Sequence, residues 1–392
     1  MNLVALKMLL GDRAKYLGII MGVTFASLLI TQQSSIFVGL MTRTFGFITD
    51  TGLPDIWVMN DRVDFVDDIK PMQDTMLLRV RGVVGVDWAM PLYKGLLRAR
   101  LANGAFQTCN VIGIDDATLV GGPPEMVEGS LSDLRRAEGI IVDEVGAKGK
   151  LARPPVDELG HSIPGAKPVP LKVGDTLELN DRRGIVVGIC RTSRTFQSQP
   201  VVYTTYTRAL QFAPRERRLL SFILVKAKPG QNIQELCDRI SQLSGMKALT
   251  KDQFSWATIS YFMKYTGIPI NFGIAVMLGF LVGTAIAGQT FYNFTLDNLR
   301  HFGALKAMGA SNWRLLRMII LQSVCVGLIG YGLGVGLASF FGILTGKSEL
   351  AFRLLWQTLA ITGGAVTLIC AIASAISLLK VVRLEPAIVF KG

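Results

Sequence analysis

Four charge-free apolar runs constrain this chain more than any other feature: Tyr16–Leu40, Gly267–Phe291, Met318–Leu344 and Leu354–Leu379. Each reaches the ~20 residues that an α-helix needs to cross the hydrocarbon of a bilayer. The first exceeds the roughly 7–15 residues of a signal-peptide core, so a spanning helix is expected rather than a cleaved leader. None contains Asp, Glu, Lys, Arg or His. Ion-coupled transporters place ionisable groups in their spans as relays, so secondary transport is disfavoured. The 392 residues are 50% hydrophobic yet 18% charged, which calls for a large aqueous portion beside the membrane helices.

Charge sets the orientation. The formal net charge is +12, and the basic residues cluster beside the apolar runs. That is the positive-inside bias, with membrane lipid rather than nucleic acid as the partner. Met1–Lys15 places Leu3, Leu6 and Leu10 on one helical face, with Lys7, Arg13 and Lys15 elsewhere, as in an interfacial helix. The segment 292–317 carries Arg300, Lys306, Arg314 and Arg317, and the tail 380–392 carries Lys380, Arg383 and Lys391. Both termini and the 292–317 segment are therefore expected in the cytoplasm, with residues 41–266 on the far side of an inner membrane.

Within 41–266 the expected pieces alternate. Ile56–Met59, Val83–Val86, Cys109–Ile114, Gly139–Val142, Pro200–Tyr206 and Ser221–Lys226 have strand character, and Asp67–Arg81 and Ile233–Leu243 helical character. Val173–Leu179 and Gly184–Cys190 form a hairpin of β-branched strands, and Lys148–Pro170 is a Pro/Gly-rich loop. The order predicts a split α/β module at about 45–95 and 218–260, with a β-rich insertion at about 96–217.

Chemistry of the chain's own is not expected. No G-x-x-x-x-G-K-[ST] loop exists; Gly146–Lys150 lacks both spacing and hydroxyl. The five cysteines show no C-x-x-C spacing, and His161 and His301 are the only histidines, so no metal site is predicted. Asp115–Asp116 and Asp143–Glu144 are adjacent carboxylates, which a strand would point to opposite faces. No catalytic residue is assigned. Arg135–Arg136, Arg182–Arg183 and Arg215–Arg218 read as solvated faces, with contact to an adaptor protein or acidic glycolipid as the alternative. In the spans, Gly18 and Gly22, Gly279 and Gly283, and Gly332 and Gly336 recur every fourth position. Such stripes let helices approach closely in lipid, within one chain or at a dimer seam.

The 292–317 segment joins the second and third runs. Leu296, Leu299, Phe302 and Leu305 recur at helical spacing, Gly309 breaks that helix, and Ser311 is positioned to cap the next. The run Phe302-Gly303-Ala304-Leu305-Lys306-Ala307-Met308-Gly309-Ala310-Ser311 resembles the coupling-helix signature of the FtsX/MacB-type (type VII) ABC transporter permeases, most nearly the DevC-like ones. His301 departs from the Glu common in that pattern, and Leu384-Glu385-Pro386-Ala387 resembles the family's C-terminal ending. The resemblance implies a membrane α-helical fold of four transmembrane helices plus an extracytoplasmic α+β domain with a β-rich insertion. It implies a homodimer with two copies of a separate ABC ATPase, which would hold ATP and Mg; this chain would bind no cofactor. Leu299, Phe302, Gly303, Leu305, Lys306, Met308 and Gly309 would form the ATPase contact. A membrane-fusion adaptor and an outer-membrane channel would complete an efflux path for a glycolipid, lipid or drug-like substrate. Two alternatives stay open: an FtsX-like regulator of an external cell-wall hydrolase, and a Lol-like lipoprotein-releasing permease.

Overall fold

The computed structural model describes residues 2–101, 103–153, 155, 163, 167–214, 219–346 and 349–382. The expectations for His161, Arg215–Arg218, residues 383–392 and much of the Lys148–Pro170 loop lie outside the described residues. The chain divides into a membrane unit, Met1–Leu40 with Gly267–Gly392, and an aqueous unit, Met41–Thr266.

The first elements are α1 (Asn2–Gly11), α2 (Arg13–Asp50), β1 (Ile56–Met59), α3 (Thr75–Arg81), β2 (Val86–Arg100), β3 (Phe106–Ile114) and β4 (Glu125–Glu128). There follow β5 (Gly139–Asp143), α4 (Glu144–Lys148), β6 (Thr176–Leu179), β7 (Arg182–Arg191), β8 (Val201–Thr205) and α5 (Tyr206–Phe212). The remainder comprises β9 (Phe222–Ala227), α6 (Ile233–Ser244), β10 (Lys247–Thr250), α7 (Lys251–Tyr265), α8 (Ile268–Asp297), α9 (Leu299–Ala307), α10 (Asn312–Thr345) and α11 (Trp356–Val382).

In the aqueous unit the strands form one sheet in the order β10-β1-β9-β2-β3-β8-β5-β7-β4, with β6 beside β2 and β7. The β3–β8 and β5–β7 pairs are parallel and the rest antiparallel. Alternation along β9 shows how the layers arise. Phe222 and Leu224 join Trp57, Ile112, Tyr203 and Phe254 on one face. Ile223 and Val225 join Val80, Leu236 and Ile240 of α3 and α6 on the other. Asn232 caps α6 by accepting from the Gln234 N–H at 3.1 Å. Thr250 and Gln253 form a reciprocal capping box that starts α7.

Several pieces differ from expectation. The helix predicted at Asp67–Arg81 is confined to Thr75–Arg81, and the strand placed at Val83 starts at Val86. Strand β2 continues to Arg100, pairing with β9 over Val86–Leu92 and with β3 over Tyr93–Arg100. One strand therefore runs through the junction expected near residue 95, and the sheet is continuous across it. Pro91, Lys94 and Gly95 interrupt β2's apolar pattern, which hides a strand this long. Strand β10 and helix α7 have no counterpart among the expected pieces.

In the membrane unit α2, α8, α10 and α11 are long and apolar enough to cross a bilayer. Residues of α2 up to Leu40 belong to this unit and residues 41–50 to the aqueous one. The core gathers Val23, Ala26, Phe291, Phe294, Ile319, Val326 and Ile369. Helix α1 packs on α10 through Ala5 and Leu9, and Gln322 Nε2 donates to the Ala5 carbonyl at 2.8 Å. Leu10, on the apolar face expected of an interfacial helix, is exposed.

Glycines set the helix spacing. A Cβ on Gly22 would meet Ile286 Cγ2 at 2.6 Å, and one on Gly279 would meet Leu29 Cβ at 3.1 Å. Gly283 abuts Ala26, and Gly18 faces Thr290 at 3.4 Å. These four seat α2 against α8. Gly332 and Gly336 make no such contact among the described residues of the chain: a Cβ on either would meet nothing within 4 Å. The pair that does is Gly330, against Val23 at 2.7 Å, and Gly334, against Ser27 at 2.5 Å. Two residues along a helix turn the side chain by about 200°, so the two pairs lie on opposite faces. Hydroxyls reinforce the seam, as in other bundles where polar side chains bond across helices in lipid. Ser27 Oγ donates to the Tyr331 carbonyl at 3.2 Å, and Thr31 Oγ1 to Thr362 Oγ1 at 3.2 Å.

Candidate functional site

The basic segment folds as a helical hairpin. Asn298 stands between α8 and α9, its Nδ2 donating to the Phe294 carbonyl at 2.9 Å. Helix α9 ends at Met308, and Gly309 takes φ +88°, a left-handed turn that favours glycine. The Ala310 N–H reaches back to the Leu305 carbonyl at 3.0 Å, which closes the helix end. Ser311 occupies the N-cap position of α10 with extended backbone, but its side chain makes no capping bond.

The hairpin has an anchoring face and an open one. Phe302 is 0% exposed, Gly303 is buried, and Leu305 packs against the same core as Phe294, Leu315 and Met318. The expectation that Phe302 and Gly303 contact a partner is corrected by this burial: they seat the hairpin instead. Leu299, Leu305 and Lys306 are half-buried. Of the seven predicted residues only Met308, 75% exposed, and Gly309 stand fully open. Arg300, His301, Trp313, Arg314 and Arg317 are exposed beside them. Trp313, 65% exposed, was missed; a large aromatic beside two arginines at a helix start was the available signal. The open face is cationic with two apolar anchors, which suits a partner carrying acids around a shallow apolar pocket.

An ion pair braces the hairpin's base. Lys15 of α2 bridges Asp12, at 3.0 Å, and Asp297 at the end of α8. These groups are partly exposed, so the pairing orients more than it stabilises.

The carboxylate pairs have structural duties. Asp115 accepts from Thr118 and Asp116 from Thr207. Asp143, buried, accepts from the Gly146 N–H at 2.8 Å and the Val201 N–H at 2.7 Å. Burial pushes its carboxyl above the ordinary range, against the pull of those bonds. Glu144 pairs instead with Lys148 and Arg191. Arg135 donates to the Ala117 carbonyl, Arg136 pairs with Asp133, and Arg183 with Glu138. Among the described residues no three His, Cys, Asp or Glu side chains gather as a metal site would require.

A bundle of spanning helices with an exposed basic hairpin, joined in one chain to a sheet-rich aqueous unit, defines a permease-type membrane subunit. Residues 16–243 match the MacB-like periplasmic core domain, and residues 273–386 match the FtsX-like permease C-terminal domain. The chain belongs to the MacB/FtsX-type family of ABC transporter permeases. It is 26% identical over 186 residues to an uncharacterised ABC transporter permease of Methanocaldococcus jannaschii, covering 45% of this chain and 46% of that one. It is 27% identical over 229 residues to one of Mycobacterium bovis, covering 56% and 58%. The chain thus spans about half the length of these curated relatives. Among solved structures it is similar to the periplasmic region of MacB from Actinobacillus actinomycetemcomitans, with TM-score 0.36 and 16% identity, covering 56% of this chain and 96% of that one. It is also similar to the extracellular domain of the noncanonic ABC-type transporter YknZ from Gram-positive bacteria, with TM-score 0.33 and 11% identity, covering 50% and 98%.

Proposed function

We propose that the chain is the permease subunit of an ABC-type export complex that works by mechanotransmission. A homodimer of the chain binds two copies of a separate ATPase, which carry ATP and Mg. Nucleotide-driven closure of the ATPases moves the α9 hairpin, and the spans convey that motion to the aqueous unit. The observation that carries this reading is the hairpin itself: cationic and open on one face, rooted in the membrane core through Phe302 on the other. A partner gripping Met308 would move the core with it.

Helix α2 supports the second half of the scheme, because it contributes residues to both units. Its last turns are tied within the aqueous unit: Asp50 accepts from the Ser193 N–H at 2.7 Å and hydroxyl at 2.8 Å, and Arg43 Nη1 donates to Ser198 Oγ at 3.2 Å. In this proposal the chain sits in the inner membrane with both termini and the hairpin cytoplasmic. The aqueous unit then drives a membrane-fusion adaptor and an outer-membrane channel, as the DevC-like resemblance implies, for a lipid, glycolipid or drug-like substrate.

The test is capture of the ATPase by the full-length chain. Met308→Asp, on the open face, is expected to lower ATPase capture at least tenfold while the chain still accumulates in the membrane; a central apolar anchor contributes about 2 kcal/mol or more to such an interface. Undiminished capture would remove Met308 from the contact. Capture of a cell-wall hydrolase with no adaptor would turn the reading toward an FtsX-like regulator.

A further inference from the structure

Helices α10 and α11 run antiparallel and leave an apolar groove of about 620 Å³ between them, which approaches the hairpin's open face at Trp313 and Arg317. Ile320, Val324 and Leu328 form its α10 wall, and Gly363, Ala371 and Leu378 stand on the α11 side. Its polar atoms are already engaged. Ser323 Oγ donates to the Cys370 carbonyl at 3.1 Å, Tyr331 OH to the Leu359 carbonyl at 3.2 Å, and Thr367 Oγ1 to the Gly363 carbonyl at 2.8 Å. The groove therefore offers its occupant contact but no donor, which suits a hydrocarbon chain rather than a polar segment.

The two ends of the α10 wall differ in kind. Trp313 and Arg317 precede Ile320, Val324 and Leu328 at offsets of four, seven, eleven and fifteen from Trp313, a single stripe on a helix. Side chains on a helix lean toward its N-terminus, so both residues reach away from the hydrocarbon, toward the level of lipid headgroups. Tryptophan is the residue type enriched at that level. Among the described residues no acid pairs with Arg317, which is exposed. The lining ends at Leu316 and Ile320, and one turn further toward the start of α10 stand an exposed aromatic and an exposed guanidinium, an arrangement complementary to an amphiphile with one negative charge at its head.

We propose that this groove holds an anionic phospholipid of the surrounding bilayer, one acyl chain against Val324 and Leu328 and its phosphate on Arg317. The lipid fills the gap between α10 and α11 and holds the two helices in register, so it is a structural component rather than cargo.

Native mass spectrometry of the detergent-purified full chain tests this, titrated in parallel with phosphatidylglycerol and phosphatidylcholine of identical acyl chains. One basic residue near an anionic headgroup contributes about 1 kcal/mol, so phosphatidylglycerol adducts are expected to exceed phosphatidylcholine adducts about fivefold. Arg317→Gln is expected to bring that ratio to about one, and Arg317→Lys to preserve it. Ala371→Phe, on the exposed wall of α11, is expected to reduce adducts of both lipids, with the variant's melting temperature confirming that it folds. Equal adducts of the two lipids in the unmodified chain would overturn the proposal. So would a preference that survives Arg317→Gln, or an Ala371→Phe chain that binds both lipids undiminished while a dimer of the chain dissociates, since the groove would then be a seat for a second copy.

Discussion

In the aqueous unit Lys94, 3% exposed at the middle of β2, pairs with Asp67 and lies 5.7 Å from the Phe47 ring centroid, while Asp143 is tied to two backbone amides. Among the described residues, the buried polar groups of the membrane unit are hydroxyls and one amide; some turn back on their own helices, as Thr295 to Phe291 and Ser374 to Cys370, and others bond across helices, as Ser27 to Tyr331 and Gln322 to Ala5. The difference follows from the solvent. Water rewards apolar burial strongly enough to carry a few buried charges, provided each is paired. Lipid tails give helices no such reward, so association rests on close backbone approach and modest hydroxyl bonds. Charge fixes position in one unit and the absence of side chains fixes it in the other.

The sharpest way to break that comparison is to fill the glycine seam. Gly334→Leu must displace Ser27, whose Oγ lies 2.6 Å from the added Cβ, and the carbonyl of Thr24 at 2.7 Å. A loss of about 3 kcal/mol, or failure to accumulate folded, is expected from overpacking that the backbone cannot relieve. Gly336→Leu, on the open face of the same helix, is expected to change stability by less than about 0.5 kcal/mol. Unfolding midpoints of the two variants in detergent give the contrast directly, and equal losses would dissolve the assignment of faces.

In the aqueous unit Asp143→Ala removes the cap of α4 and strands the Val201 amide, at an expected cost of about 2–3 kcal/mol. Because burial raises the Asp143 carboxyl in the folded chain, folding favours its protonated form. Its contribution to stability is fully present below the ordinary carboxylate value and is lost as pH rises through the raised one. The wild type's advantage over Asp143→Ala is therefore expected to be greatest in acid and to shrink toward neutrality, as unfolding curves collected across that window would register. A flat difference would mean that the amide bonds, not burial, set the titration.

The smallest effect belongs to the hydroxyl seam. Thr31→Val keeps the shape and removes the bond to Thr362, at an expected cost of about 0.6 kcal/mol. A cost several times larger would say that lipid values such bonds as dearly as the aqueous unit values its ion pairs.

What could be read without coordinates follows the same division. The spans were legible because lipid forbids charge and irregular backbone over a fixed length, a demand written in Tyr16–Leu40 as plainly as in Leu354–Leu379. The faces of those helices were not. Gly330 with Gly334 and Gly332 with Gly336 have identical spacing, and only the position of Val23 and Ser27 on α2 tells them apart. The hairpin shows the same limit. Leu299, Phe302 and Leu305 announce a helix with an apolar stripe, yet nothing local says that the stripe is spent on Phe294 and Leu315, leaving Met308 and Trp313 open. Strand β2 was obscured because its pairing partner changes from β9 to β3 at Tyr93 and its burial changes with it: Pro91–Lys94 is buried on both faces, whereas Leu96–Arg100 alternates between exposed and buried.

The central claim, that a partner on one side of the membrane works the hairpin while the aqueous unit acts on the other, is tested most directly by labelling in intact cells. A single cysteine at position 308, in a chain with its five native cysteines replaced, would be challenged with a membrane-impermeant maleimide beside a second variant bearing its cysteine at the exposed Asp181. With the outer membrane opened, the site at 181 is expected to label and the site at 308 to label only after the inner membrane is also breached. Labelling of both sites before that breach would contradict the account.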